Sequence, residues 1–83
     1  YTIWSVHLFS FYGKPPPAGE LDFLDAAGVP YQVQRAVVKG GTWYRVLVNN
    51  STEYSVAKEY AAMLKKRLGI RQIWISSKQY NYN

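Results

Sequence analysis

A glycine turn followed by an alternating strand restricts the fold more than any other part of this sequence. Residues 39–48 open with Lys39-Gly40-Gly41, which supplies the glycine that a hairpin turn requires. Side chains alternate across a strand, which predicts one set toward a core and one set away from it. The first set is Tyr44, Val46 and Val48, and the second is Trp43, Arg45 and Leu47. An indole two residues from a guanidinium suits a flat ligand with an anionic group, whereas the alternative is an ordinary hairpin strand with a solvated arginine.

The length of the chain allows one small domain. Its 83 residues are near the lower end of what a single hydrophobic core supports, so we expect one sheet and one helical layer. There is no cysteine and a single histidine, His7, which excludes a disulfide framework, a thiolate metal site and an imidazole cluster. We therefore expect no metal and no cofactor.

The sequence contains no apolar run of the roughly 20 residues that are needed to span a bilayer. It starts at Tyr1 rather than Met, so we expect it to be a piece of a longer protein. Any membrane anchor would then lie outside this fragment, and we expect no membrane contact by the fragment itself.

Charge and aromatic content narrow the kind of partner. The net charge of +5 favours nucleic acid, anionic lipid or an acidic polysaccharide without choosing among them. Phe, Trp and Tyr make up 17% of the chain, more than a small core needs, so some rings are predicted to face a ligand or solvent. Tyr80 and Tyr82 are weak candidates, because they lie in a polar segment that is predicted to be a frayed tail.

Periodicity predicts four strands and two helices. The strands are predicted at residues 2–9, 31–38, 42–48 and 70–75, and the helices at residues 20–27 and from a Ser51 or Thr52 N-cap to about Leu68. Gly28 and Gly69 are predicted to end the helices. The order predicts an α+β fold of the ferredoxin-like, RNP-like βαββαβ type, in which a four-stranded antiparallel sheet has two helices on one face and an open second face. Residues 1–76 are predicted to form the domain and residues 77–83 a polar tail.

The open face is predicted to carry rings and polar groups from three strands, which lie roughly 5 Å apart. They are Ser5, His7, Phe9, Gln32, Gln34, Trp43, Arg45 and Leu47. Such a surface suits a pyranose, whose C–H face can stack on an aromatic ring while its hydroxyls bond to amide, imidazole and hydroxyl groups.

Alternation does not settle on which face Ser10 and Ile73 lie. Ser10 shares the parity of Val6 and Leu8, so it joins the open face only if the strand bends or ends there. Ile73 faces outward if the last strand has one parity, and Trp74 takes its place if the strand has the other.

Several segments resemble the SPOR (sporulation-related repeat) domain. Residues 6–11, Val-His-Leu-Phe-Ser-Phe, are similar to the opening strand of that family, and Trp43-Tyr44-Arg45-Val46 matches its third-strand motif. Ala26 to Pro30 resemble the end of its first helix, and Ala57 to Leu64 resemble the apolar stripe of its second. The chain departs from the family pattern at His7, which replaces a glutamine, at Phe9, which replaces a glycine, and at Asn49-Asn50, which replaces Gly-Pro.

The resemblance implies a non-catalytic module of the bacterial cell envelope, in the periplasm or cell wall. Such domains bind peptidoglycan glycan strands that lack stem peptides, and they help to bring a parent protein to the division septum. The ligand-binding residues that it implies are His7, Ser10, Trp43, Arg45 and Ile73, and strand alternation places Phe9, Gln32 and Gln34 on the same predicted face. Removal of a stem peptide leaves a lactyl carboxylate, which Arg45 could bind through two parallel hydrogen bonds. We expect a monomer and no nucleic acid partner.

Other functions fit the sequence less well. An RNA-recognition motif has the same element order and opens its third strand with Lys or Arg followed by Gly, which Lys39-Gly40 matches, but Arg45 and Leu47 occupy its further aromatic positions. A protein-interaction module using the same face is a third possibility. We expect no enzyme, because His7 has no evident acid or nucleophile partner and there is no glycine loop to hold a phosphate.

Overall fold

The computed structural model describes residues 1–81. Tyr82, one of the two weak ligand candidates, and the end of the predicted tail lie outside the described residues. The elements are β1 (Thr2–Tyr12), α1 (Asp22–Ala26), β2 (Gln32–Val38), β3 (Gly41–Ser51), α2 (Tyr54–Leu68) and β4 (Trp74–Gln79). The predicted α+β class, with two helices and a four-stranded antiparallel sheet, is confirmed. The strands lie in the order β2-β3-β1-β4, and every neighbouring pair is antiparallel.

One apolar cluster joins the sheet to both helices. Its members are Val6, Leu8, Val46 and Val48 from the sheet, Leu21, Leu24 and Val29 around α1, and Ala57, Ala61, Leu64 and Ile70 in and after α2. Each fully buried Leu or Val stabilises the fold by about 1.5–3 kcal/mol relative to an exposed position. Val46 and Val48 of the inward set predicted for β3 therefore lie in the core, whereas Tyr44 of that set does not belong to it, and the helices cover one face of the sheet.

An irregularity in the pairing of β1 with β3 decides which side chains reach the opposite face. Between His7 and Ser10, the two residues Leu8 and Phe9 of β1 lie opposite the single Val46 of β3. Such a bulge shifts the alternation by one residue. Ser10 consequently lies opposite Arg45, so the bend that the sequence left open is present.

The hairpin between β2 and β3 follows from its turn residues. Lys39 has φ 49° and Gly40 has φ 80°, and the flanking residues Val38 and Gly41 are paired. Two consecutive positive φ values between paired residues are those of a type I′ turn, whose twist matches that of the strands. This local chemistry fixes the register of β2 against β3.

Some predicted boundaries are wrong. The first helix is shorter than predicted, and α2 begins at Tyr54 rather than directly after Ser51 or Thr52. The Ser51 hydroxyl accepts a hydrogen bond from the Glu53 amide (3.0 Å), which makes a local turn that the sequence pattern does not distinguish from a helix cap. The prediction that Gly69 ends α2 is correct, because it has φ 66° at the C-cap.

The last strand lies four residues later than predicted. Polar residues assigned to a frayed tail, Ser77, Lys78 and Gln79, pair with Trp4, Ile3 and Thr2 of β1. An edge strand needs little apolar surface of its own, so its polar half carried no strand signal. Within residues 1–81, no helix is long and apolar enough to cross a membrane.

Candidate functional site

The sheet face turned away from the helices, here called the open face, carries a groove of about 670 Å³. Its lining includes residues of all four strands: Tyr1, Ile3, Ser5, His7, Gln34, Arg45, Asn50, Ser76, Ser77, Lys78 and Tyr80. The groove combines hydroxyl, amide and guanidinium groups with aromatic rings. It can therefore bind a polar ligand with flat apolar faces.

The polar centre of the open face lies at Arg45. Strand pairing places Gln34 on one side of Arg45 and Ser10 on the other. A guanidinium flanked by an amide and a hydroxyl can bind a carboxylate through two parallel hydrogen bonds while its neighbours bind further oxygens. The structure thus brings three of the predicted site residues together, and Gln32 lies on the same face opposite Leu47.

His7 is buried beneath Trp74 and is 4% exposed. The two rings stack with centroids 5.1 Å apart and planes 10° apart, and the His7 Nε2 atom shares a hydrogen bond of 2.7 Å with the Ser76 hydroxyl. His7 was predicted to lie on the open face, and it does line the groove there, but it is almost fully buried. Its ring stacks on that of Trp74, a residue that is 37% exposed.

The environment of His7 favours its neutral form. Burial, and after it the positive charge of Arg45, lowers the pKa of His7 below its usual value of 6.5. Among the described residues, no group hydrogen bonds to the buried Nδ1 atom. A second proton on the ring would therefore be both desolvated and close to a guanidinium.

Trp43 lies on the open face, as predicted, but half-buried. The Tyr12 ring meets it edge-on, with centroids 4.9 Å apart. A Cβ atom at Gly41 would lie 2.8 Å from the Tyr12 Cε1 atom, so a larger residue there would displace the Tyr12 ring from Trp43. Tyr12 was not among the predicted site residues, because the strand was predicted to end before it.

Phe9 and Ile73, predicted on the ligand face, both pack against the core. Phe9 belongs to the β1 bulge, and its ring meets the Phe23 ring of α1 edge-on at 6.1 Å. Ile73 precedes β4, and Trp74, opposite His7, takes its place on the open face as the alternative parity allowed. The position of Phe9 was not accessible from period-two alternation, because a bulge changes the parity, whereas alternation had left both Ile73 and Trp74 open.

A second aromatic pair, Tyr1 and Tyr80, contributes to the lining of the groove, which Tyr12 and Trp43 do not. The Tyr1 and Tyr80 rings stack with centroids 5.4 Å apart, and the Lys78 Nζ atom lies 5.4 Å from the Tyr80 ring centroid. Between this pair and Arg45, the Ser5 hydroxyl donates a hydrogen bond of 2.6 Å to the Asn50 side chain. Of these residues only Tyr80 and Ser5 had been predicted to face outward.

The site offers binding groups rather than a metal centre. Within the part of the chain that the structure describes, no group of three or more His, Cys, Asp or Glu side chains could hold a metal ion.

In comparisons with known proteins, no family model, curated protein or solved structure matched this chain. Functional assignment therefore depends on the residues of the site.

Proposed function

We propose that the open face binds glycan strands of peptidoglycan, and that it prefers strands whose stem peptides have been removed. The observation that carries the proposal is the groove on the open face, in which the Arg45 guanidinium shares the lining with hydroxyl and amide groups and with the Tyr1 and Tyr80 rings. A glycan presents flat C–H faces, hydroxyls and acetamido groups, each of which has a matching partner in the groove.

Strand order is consistent with the SPOR resemblance. Counted from the β4 edge, the order β2-β3-β1-β4 is 4-1-3-2, which agrees with the ferredoxin-like arrangement that we propose for this domain. The residues that carry the resemblance on the third strand, Trp43 and Arg45, both lie on the open face.

Arg45 provides the proposed preference for stripped strands. Loss of the stem peptide leaves a carboxylate on the lactyl group of the sugar. A guanidinium binds a carboxylate with two parallel bonds in a geometry that an ammonium cannot reproduce. An intact strand has an amide at that position and would gain no such ion pair.

The proposed role is non-catalytic targeting. A domain that recognises stripped strands would bring its parent protein to the division septum of a bacterial envelope, in the periplasm or cell wall. We propose that it acts there as a monomer without a cofactor.

Comparing two arginine variants tests this function. The isolated domain is incubated with peptidoglycan, either intact or treated with an amidase, and the bound fraction is measured after sedimentation. We expect tighter binding to the treated material and a loss of that preference in Arg45→Lys. Arg35→Lys is the matched control, because Arg35 lies on β2 with the opposite parity. Equal binding to both materials by the unaltered domain, or equal behaviour of the two variants, would contradict the proposal.

A further inference from the structure

Positive charge is unevenly distributed along this chain. Five of the ten Lys and Arg residues follow Glu59, whereas none of the five Asp and Glu residues does. The net charge of +5 therefore belongs to α2, β4 and the segment between them. Lys65, Lys66 and Arg67 interact favourably with the dipole of the α2 C-terminus, and Arg67 also binds the Ala27 carbonyl oxygen at 3.3 Å. The helix dipole does not account for the absence of acidic residues from the segments that follow.

A second groove, here called the α2–β4 groove, lies within this basic region. Its volume is about 430 Å³, and its lining is Tyr54, Ala61, Ala62 and Lys65 of α2 with residues 73–75. Ile73 and Ile75 form an apolar floor, and the two alanines leave room beside it. Lys58 is seven residues before Lys65, so both lysines lie on the groove side of α2.

The backbone of β4 borders the same groove. In the described part of the sheet, β4 is an outer strand with β1 on one side. Tyr1 and Tyr80 exchange two backbone hydrogen bonds of 2.8 Å each, which marks them as a hydrogen-bonded pair of the ladder. Such pairs alternate along an antiparallel ladder, so the backbone groups of Ile75, Ser77 and Gln79 point away from β1.

We propose that the α2–β4 groove binds an extended acidic peptide segment of a partner protein, which adds to β4 as a fifth strand. Its backbone would bond to Ile75, Ser77 and Gln79, its apolar side chains would lie on Ile73 and Ile75, and its carboxylates would meet Lys58 and Lys65. Main-chain bonds supply affinity in this mode of recognition and alternate side chains supply specificity. The site is separate from the open face, and the proposal does not rest on glycan binding.

The α2–β4 groove suits an acidic peptide better than a second copy of the chain or a nucleic acid. A second copy of the chain would bring another β4 with no acidic residue, so like charges would face one another. A nucleic acid would satisfy the lysines, but it has no peptide groups to pair with the strand edge and no apolar side chains for the floor. An acidic segment in extended conformation can pair with the lysines, with the backbone of the strand edge and with the apolar floor.

An NMR titration of the domain tests the proposal directly. The probe is a peptide of about eight residues that repeats Val-Thr-Glu-Thr, so that its valines and glutamates lie on the same face of the added strand, and it is long enough to span the six residues of β4. We expect shifts of the Ile75, Ser77 and Gln79 amides and of the two alanines on α2. A peptide with proline in place of each valine has the same charge but cannot form the ladder, and it should bind at least about tenfold more weakly.

Three variants complete the test. Lys65→Glu should weaken peptide binding about tenfold, and the matched Lys66→Glu, with the same change in net charge outside the groove lining, should weaken it much less. Ser77→Pro removes an outward amide without removing a bond to β1, so it should abolish binding in a domain whose circular dichroism is retained. Shifts confined to the open face, equal effects of the two lysine variants, or equal binding of the two peptides would each overturn the proposal.

Discussion

At the scale of single residues, His7 couples the fold to pH. Its pKa is lowered by burial and by Arg45, so the unfolded chain takes up a proton at a higher pH than the folded chain does. The contribution of neutral His7 to stability is therefore complete above its ordinary pKa of about 6.5 and declines as the pH falls below that value. We expect the thermal midpoint to fall between about pH 7.5 and about pH 5, and to fall less in His7→Gln, which keeps a polar partner for Ser76. Equal pH dependence of the two proteins would show that carboxylates, not His7, cause the loss.

A second prediction for a single residue concerns the contribution of Trp43 to glycan binding. Trp43→Ala is expected to cost about 1–3 kcal/mol of glycan binding if stacking on sugars resembles stacking on bases. Because the ring is half-buried against Tyr12, the variant should also lose about 0.5–1.5 kcal/mol of folding stability. Tyr12→Ala is the matched control, since it removes the same ring contact but keeps the indole. If both variants bind glycan equally well, the Trp43 ring is not part of the site.

At the scale of elements, the β1 bulge determines which side chains of β1 face the core and which lie on the open face. It turns Phe9 toward α1 and Ser10 toward Arg45, although regular alternation would give the reverse. Phe9→Ala is therefore expected to lower the free energy of unfolding by about 1–3 kcal/mol, less than for a fully buried ring, and to leave glycan binding unchanged. Urea denaturation and sedimentation with stripped peptidoglycan measure the two effects. Weaker binding at unchanged stability would return Phe9 to the ligand face.

At the scale of the whole molecule, the dependence of binding on salt concentration distinguishes a glycan ligand from RNA. RNA binding that contacts several phosphates should weaken by orders of magnitude between about 50 and about 200 mM salt, because condensed counterions are released. Ring stacking on a sugar is not screened, and the ion pair at Arg45 is weakened only in part, so glycan binding should have a shallow salt dependence. We expect single-stranded RNA to compete poorly at about 150 mM salt. Lys66→Gln removes one positive charge that lies outside the groove of the open face, and it should leave the glycan affinity unchanged. A steep salt dependence with effective RNA competition would favour the nucleic acid module instead.

Features that depend on near neighbours along the chain could be predicted from residue order. The hairpin follows from Lys39 and Gly40, the end of α2 from Gly69, and the faces of Val46 and Arg45 from the alternation of β3. Each of these needs only local sterics and a count of residues within one element. For that reason the element order, the α+β class and the position of Gln34 and Arg45 on one face could be predicted.

The alignment of strands that are distant in sequence depends instead on tertiary packing. The burial of His7 beneath Trp74 depends on a pairing between residues 67 positions apart, and the β1 bulge depends on how two strands and α1 pack together. A change of register by one residue moves a side chain to the opposite face. The register of β1 against β3 and β4 is set by packing of the whole core rather than by any local pattern. Phe9, Ser10, Ile73 and Trp74 were therefore the positions that the sequence could not assign.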